Sequence, residues 1–286
     1  PRPSTPSGTT GWRLAEAARP PVEQSRRTHA AGRLALILYE YPFNESIRTM
    51  LRLEHLFDRL GVLVERETPL DHHFALVTIF EIVDVASRAD LKSDLLKDLE
   101  RHKSQLAQYR GNPAISEGAL DQVIGRIDHA HTALNALAGK AGAALAANDW
   151  LMSIRSRISI PGGTCEFDLP AYYAWQHESV ARRRADLQRW METLLPLADA
   201  LKVLLALLRE SGGPHMVVAP GGQYQQGLPA GRSFSLLRVR LSDDSGLVPE
   251  ISGHRLMVSI RLMRPDTDGR LRPSTEDAGF ELTLCA

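Results

Sequence analysis

Cysteine is nearly absent: Cys165 and Cys285 are the only two in 286 residues, far apart and with no CxxC pair. That excludes a dense disulfide framework and fits a reducing cytoplasm. Long apolar runs are missing too. The nearest, Leu194–Leu208, is interrupted by Pro196, Asp199 and Lys202, well short of the ~20 apolar residues that span a bilayer. The N-terminus lacks the compact apolar core of a signal peptide. The expectation is a soluble, intracellular chain without membrane insertion.

Net charge is the third absence, with 34 basic residues (Lys and Arg) against 34 acidic (Asp and Glu). The balance is uneven, however. Residues 1–33 hold six arginines and two glutamates, which leaves 28 basic against 32 acidic groups in residues 34–286. A mildly acidic body argues against broad nucleic-acid binding, which is driven by phosphate neutralisation. Charged residues at 24% and hydrophobic residues at 43% are ordinary globular values, and the length suffices for a sizeable core.

Residues 1–33 are rich in Pro, Ser, Thr, Gly, Ala and Arg and have no helical or strand period, which predicts a flexible extension. A β-rich run, Leu34–Tyr41, ends at Pro42, and Asn44 then caps a helix whose apolar face includes Ile47, Met50, Leu51, Phe57 and Leu60. Its outer stripe reads Glu45, Arg48, Arg52, His55 and Arg59. Further helices are predicted near 71–87, 90–109, 117–138, 147–158, 170–177 and 179–211, the last kinked or split at Pro196. After Gly212 the texture changes to strands at Met216–Ala219, Phe234–Leu241, Arg255–Met263 and Phe280–Leu284, set between Gly, Pro and Asp turn clusters. The fold class is therefore α+β: a mainly α-helical bundle over 43–212, and a mostly antiparallel sheet formed by residues 213–286 with the first strand, 34–42, joined to it.

Two strands carry arginine in alternation. Leu237, Val239 and Leu241 interleave with Arg238 and Arg240, and Leu256, Val258, Ile260 and Leu262 interleave with Arg255, Met257, Ser259, Arg261 and Met263. Strand side chains alternate between faces, so these four arginines are expected on one exposed sheet face, an anion-binding surface. Exposed ion pairs contribute only about 0.2–1 kcal/mol each, whereas micromolar binding needs roughly 8 kcal/mol. A peptide ligand would therefore also need apolar contacts, for which Met257 and Met263 are candidates. The alternative is internal pairing with Glu281 or Asp243.

Catalytic signals are weak. Asp128, His129 and His131 are spaced one and two apart, so they do not share a helical face, and His72-His73 beside Asp71 reads as a helix start. Cys165 follows Gly162-Gly163 without a nucleophile elbow, base or orienting carboxylate, and suits a small buried residue at a joint. Neither Gly162-Gly163 nor Gly221-Gly222 has the lysine and hydroxyl of a phosphate loop. No enzyme, metal or cofactor assignment follows.

Three blocks together resemble one family: Tyr39–Leu60 (YEYPFNESIRTMLRLEHLFDRL), Ser156–Trp175 (SRISIPGGTCEFDLPAYYAW) and Ile251–Met263 (ISGHRLMVSIRLM). They are similar to the bacterial ZapD family of cell-division proteins, over about Leu36 to Cys285. The resemblance implies a cytoplasmic homodimer at the mid-cell division site. Such a dimer would bind the C-terminal tail of FtsZ and bundle its filaments, promoting Z-ring assembly and septation. It also implies a basic pocket between the helical and β parts, to which Arg88 and Arg261 correspond by position. Met257 stands where some relatives have a basic residue, and Arg255 is placed to compensate. The expected tail-binding residues are Arg88, Arg238, Arg240, Arg255 and Arg261, with Arg48 and Arg52 as additional basic contacts. The other readings are a nucleic-acid-binding adaptor using the arginine face and a hydrolase using Cys165.

Overall fold

The structure, a computed structural model, describes residues 35–87 and 90–286. The expectations for residues 1–33, Leu34 and Arg88 lie outside them. The first strand, β1 (Leu36–Pro42), leads into α1 (Glu45–Glu65). Asn44 caps that helix, its side chain accepting from Ile47 N at 2.9 Å, and Met50, Leu53, Leu56, Leu60 and Val64 form the buried stripe. Thr68 caps α2 (Pro69–Ala86) in the same way, with Pro69 in the first turn, where its missing N–H costs nothing. Apolar almost all round, α2 is buried over most of its length.

Next come α3 (Leu91–Ala107), α4 (Glu117–Ala136), a single turn α5 (Ala143–Ala146), α6 (Asp149–Ile158) and α7 (Pro170–Gln176). The predicted 179–211 helix is two helices, α8 (Val180–Glu192) and α9 (Leu195–Glu210), with Pro196 opening the second. One core joins α1, α2, α4, α8 and α9 through Leu53, Ile79, Ile127, Leu187 and Leu201, together with an aromatic group of Trp150, Tyr172, Trp175 and Trp190. A buried arginine ties its elements at one end. Arg183 donates to His72 Nδ1 (3.0 Å), to Gln176 O (3.2 Å), to Glu67 O (2.7 Å) and to Glu178 O.

The remaining strands are β2 (His215–Ala219), β3 (Gln223–Gly227), β4 (Leu236–Ser242), β5 (Val248–His254), β6 (Met257–Pro265), β7 (Leu271–Pro273) and β8 (Ala278–Cys285). They form two antiparallel sheets rather than one. The first has the order β1-β4-β8-β2 and the second β3-β6-β5, with β7 added to the end of β6. Val239, Leu241, Phe280 and Leu282 of the first share a core with Val258, Ile260 and Leu262 of the second. The sheets therefore pack face to face.

The outer face of the first sheet meets the helices. Leu236 and Cys285 pack with Leu208 of α9 and with Ile47 and Leu51 of α1. Gly212, between α9 and the strands, lies so close to β8 that an added Cβ would stand 2.3 Å from Leu284 O. The fold is α+β as expected, and β1 pairs with β4 throughout, Glu40 opposite Arg238.

Candidate functional site

The arginines expected on one sheet face are divided. Arg238 and Arg240 belong to β4 of the first sheet, and Arg261 belongs to β6 of the second. Val239 and Ile260, beside them in sequence, both point into the shared core. The arginines must then point outward on opposite sides of the pair of sheets. Arg255 is not in a strand at all: Arg255 and Leu256 form the two-residue turn between β5 and β6, whose ends pair at His254 and Met257. Leu256 is accordingly exposed and Met263 buried, the reverse of the roles expected for them.

Internal carboxylates hold three of the four. Arg238 donates to Glu40 at 3.0 Å, Arg240 to Glu281 at 2.8 Å, and Arg261 pairs with Glu250 at 2.7 Å. For Arg240 this is the internal partner named as the alternative. The shared arginine surface required by the nucleic-acid reading is therefore absent from the described strands. Cys165 is half-buried, with its thiol directed at Gly162 O (2.8 Å), a backbone partner rather than a base.

The two arginines expected only as additional contacts stand at the edge of a groove. A cavity of about 590 Å³ opens where β1, α1 and α2 meet. From α1 come Arg48, Leu51, Arg52, His55 and Leu56, spaced three and four apart so that they share one face. From α2 come Glu81, Asp84 and Val85, and from β1 Glu40 and Pro42. Leu51, Leu56, Val85 and Pro42 supply the apolar surface.

Charge in this groove is distributed unequally. Its three carboxylates are each met by an arginine that does not line it: Glu81 by Arg59, Asp84 by Arg155, and Glu40 by both Arg209 and Arg238. Arg48 and Arg52 instead share a single carboxylate, Glu45, at 3.1 and 3.8 Å. That carboxylate lies outside the groove; Arg52 is exposed and Arg48 half-buried. The α1 wall therefore keeps cationic capacity for an incoming anion.

Beneath the groove, Arg209 bridges Glu40 and Glu54 with two bonds to each, between 2.6 and 2.8 Å. Burial pulls its pKa down, but the hydrogen bonds to Glu54 and Glu40 outweigh that and hold it above the usual arginine value. The β5–β6 hairpin also comes close. Gly253 packs on Phe43, the residue after groove-lining Pro42, so tightly that a Cβ there would lie 2.7 Å from Phe43 Cε1. Arg255 follows two residues later.

No local sequence pattern marks this groove, because its residues come from three separated segments. The stripe Arg48, Arg52, His55 was the available signal, and it reads as an ordinary solvated helix face until α2 is placed opposite.

Fold and groove define a class: an α+β protein in which helices and sheet converge on a partly apolar, cation-edged recess. Among its described residues no helix is long and apolar enough to cross a membrane. The chain belongs to the ZapD family of cell division proteins, whose sequence profile matches residues 51–261. It is 54% identical over 251 residues to the cell division protein ZapD of Ralstonia pickettii strain 12J, a match covering 87% of this chain and 99% of that protein. The cell division proteins ZapD of Ralstonia nicotianae and Cupriavidus pinatubonensis are 55% and 53% identical over the same shares. A role in cell division follows from the family.

Proposed function

We propose that this protein binds the C-terminal tail of FtsZ in the groove between β1, α1 and α2, and as a homodimer cross-links FtsZ filaments at the mid-cell division site in the cytoplasm. The observation that carries this reading is the groove's uneven charge: every carboxylate in it is already held by an arginine, while Arg48 and Arg52 share one exposed partner. A tail with acidic and apolar residues would place carboxylates on Arg48 and Arg52 and apolar side chains on Leu51, Leu56 and Val85. Arginine's planar fork suits the first contact, and apolar burial supplies what exposed ion pairs lack.

Arg255, on the hairpin beside Phe43, and Arg88, three residues after Val85, are proposed as flanking cations. Arg261, on the outer face of the second sheet and outside the groove, is proposed as a separate contact for a longer stretch of the tail, through exchange of its exposed partner Glu250. Arg238 and Arg240 hold the sheet together instead. Two sites in a dimer raise the effective concentration for the second filament once the first is bound, so modest single-site affinity suffices for bundling.

Reversing both groove cations, Arg48→Glu with Arg52→Glu, should abolish co-sedimentation with FtsZ filaments while circular dichroism stays native. Undiminished bundling by that folded variant would reject the site.

A further inference from the structure

Glu81 and Asp84 stand three residues apart on α2 and so present two carboxylates on one face, across the groove from Arg48 and Arg52. Left bare, they would repel any acidic ligand that the α1 wall attracts. Neither is bare. Arg59, from α1, pairs with Glu81 while its Nε donates to Thr78 Oγ1 at 3.0 Å, which fixes the guanidinium from a second side. Arg155 reaches Asp84 from α6, with its other terminal nitrogen 3.8 Å from Met152 Sδ. Neither arginine lines the groove.

We propose that Arg59 and Arg155 are positioning residues that mask the acidic wall of the groove, so that an acidic peptide meets a net cationic surface. They set ligand charge preference without touching the ligand. The inference rests on the groove being the FtsZ-tail site.

The test is a titration of a fluorescent FtsZ C-terminal tail peptide into the full chain and its variants, at low and at raised salt. Arg59→Met with Arg155→Met should weaken binding on the order of three- to tenfold, as expected for two partly exposed ion pairs. Adding Glu81→Gln and Asp84→Asn to that variant should restore the affinity, because no charge then remains to mask. Glu81→Gln with Asp84→Asn alone should tighten binding by a similar factor, since both arginines are freed and the acids are gone. It should also steepen the salt dependence.

Unchanged affinity in the methionine pair, or a loss that the amides do not restore, would overturn the masking role. A structural role of the arginines would show as a lowered melting midpoint in the methionine pair together with the lost affinity, whereas masking lowers the affinity at an unchanged midpoint. If the methionine pair does not fold, the amide pair carries the test, and no tightening there overturns the proposal. Arg48→Glu with Arg52→Glu separates the two claims: intact peptide binding in that variant rejects the groove itself. Lost binding there, combined with indifference to the masking substitutions, rejects only the masking.

Discussion

His72 is fully buried and held at both ring nitrogens. Arg183 Nε donates to Nδ1 at 3.0 Å, which leaves the ring proton on Nε2 to donate to Arg66 O at 2.9 Å. A second ring proton has no acceptor there and would face the guanidinium of Arg183, with Arg184 nearby. Burial, reinforced by these two cations, lowers the pKa of His72, while neighbouring Asp71 is engaged by Thr68 and Arg66. A histidine depressed in the folded state costs nothing above its unfolded value near 6.5, where it is neutral in both states. Stability is then lost as pH falls from there towards the folded pKa. Thermal melts should show the midpoint dropping between pH 7 and pH 5, and His72→Asn should show a shallower drop. An equal slope in both would remove His72 from the account. In the sequence, His72-His73 reads only as a helix start, which it is. Its buried partner lies 111 residues away and leaves no local trace.

Helices were legible because caps and apolar stripes are local. Asn44 stands where the first helix begins and Pro196 marks the break between α8 and α9, whereas α2 starts at Pro69, two residues before the expected 71, because Thr68 caps it. Strands were legible where alternation was strong, as in β4, β6 and β8, or where β-rich residues ran together, as in β1 and β2. β5 contains Pro249 and Gly253, β3 is mostly glutamine, and β7 is three residues long, so none gives a clear period-two signal. The Arg255-Leu256 turn contains no glycine, and neither residue has positive φ, so the usual Asn-Gly or Asp-Gly hairpin mark is missing. Apolar Leu256 then completes a false alternation that draws Arg255 into the strand, and no local pattern assigns β4 and β6 to different sheets, so the four arginines read as one face. At the junction of α9 and β8, Gly212→Ala should cost about 1–3 kcal/mol in chemical denaturation, because the added methyl meets a backbone carbonyl. Gly213→Ala, with open space around it, should stay within about 0.5 kcal/mol. Similar costs for the two would contradict the close approach.

Across residues 36–286, which form one compact unit, the ion network of Arg209, Glu40, Glu54 and Arg238 ties helices to the first sheet. Arg209 is 17% exposed and Glu54 24%, so removing the cation takes from Glu54 its two hydrogen bonds in a poorly solvated place, while Glu40 keeps Arg238. Arg209→Met should cost about 3 kcal/mol or more, read as a lower denaturation midpoint. Under the proposed function it should also weaken binding of an FtsZ tail peptide, because Glu40 lines the groove. That network was invisible in the sequence, as was the groove above it, since both depend on contacts between β1, α1, α2 and α9. The resemblance implies a basic pocket between helices and sheet, and the arginine stripe on α1 is visible in the sequence, but only the fold sets that stripe opposite α2 and β1. The most direct measurement is fluorescence anisotropy of the FtsZ tail peptide against the unaltered protein and the Arg48→Glu, Arg52→Glu variant, each across a salt series. If the groove holds the tail, binding to the unaltered protein is saturable and weakens with salt, and the variant loses at least tenfold. Equal affinities in the two would contradict it.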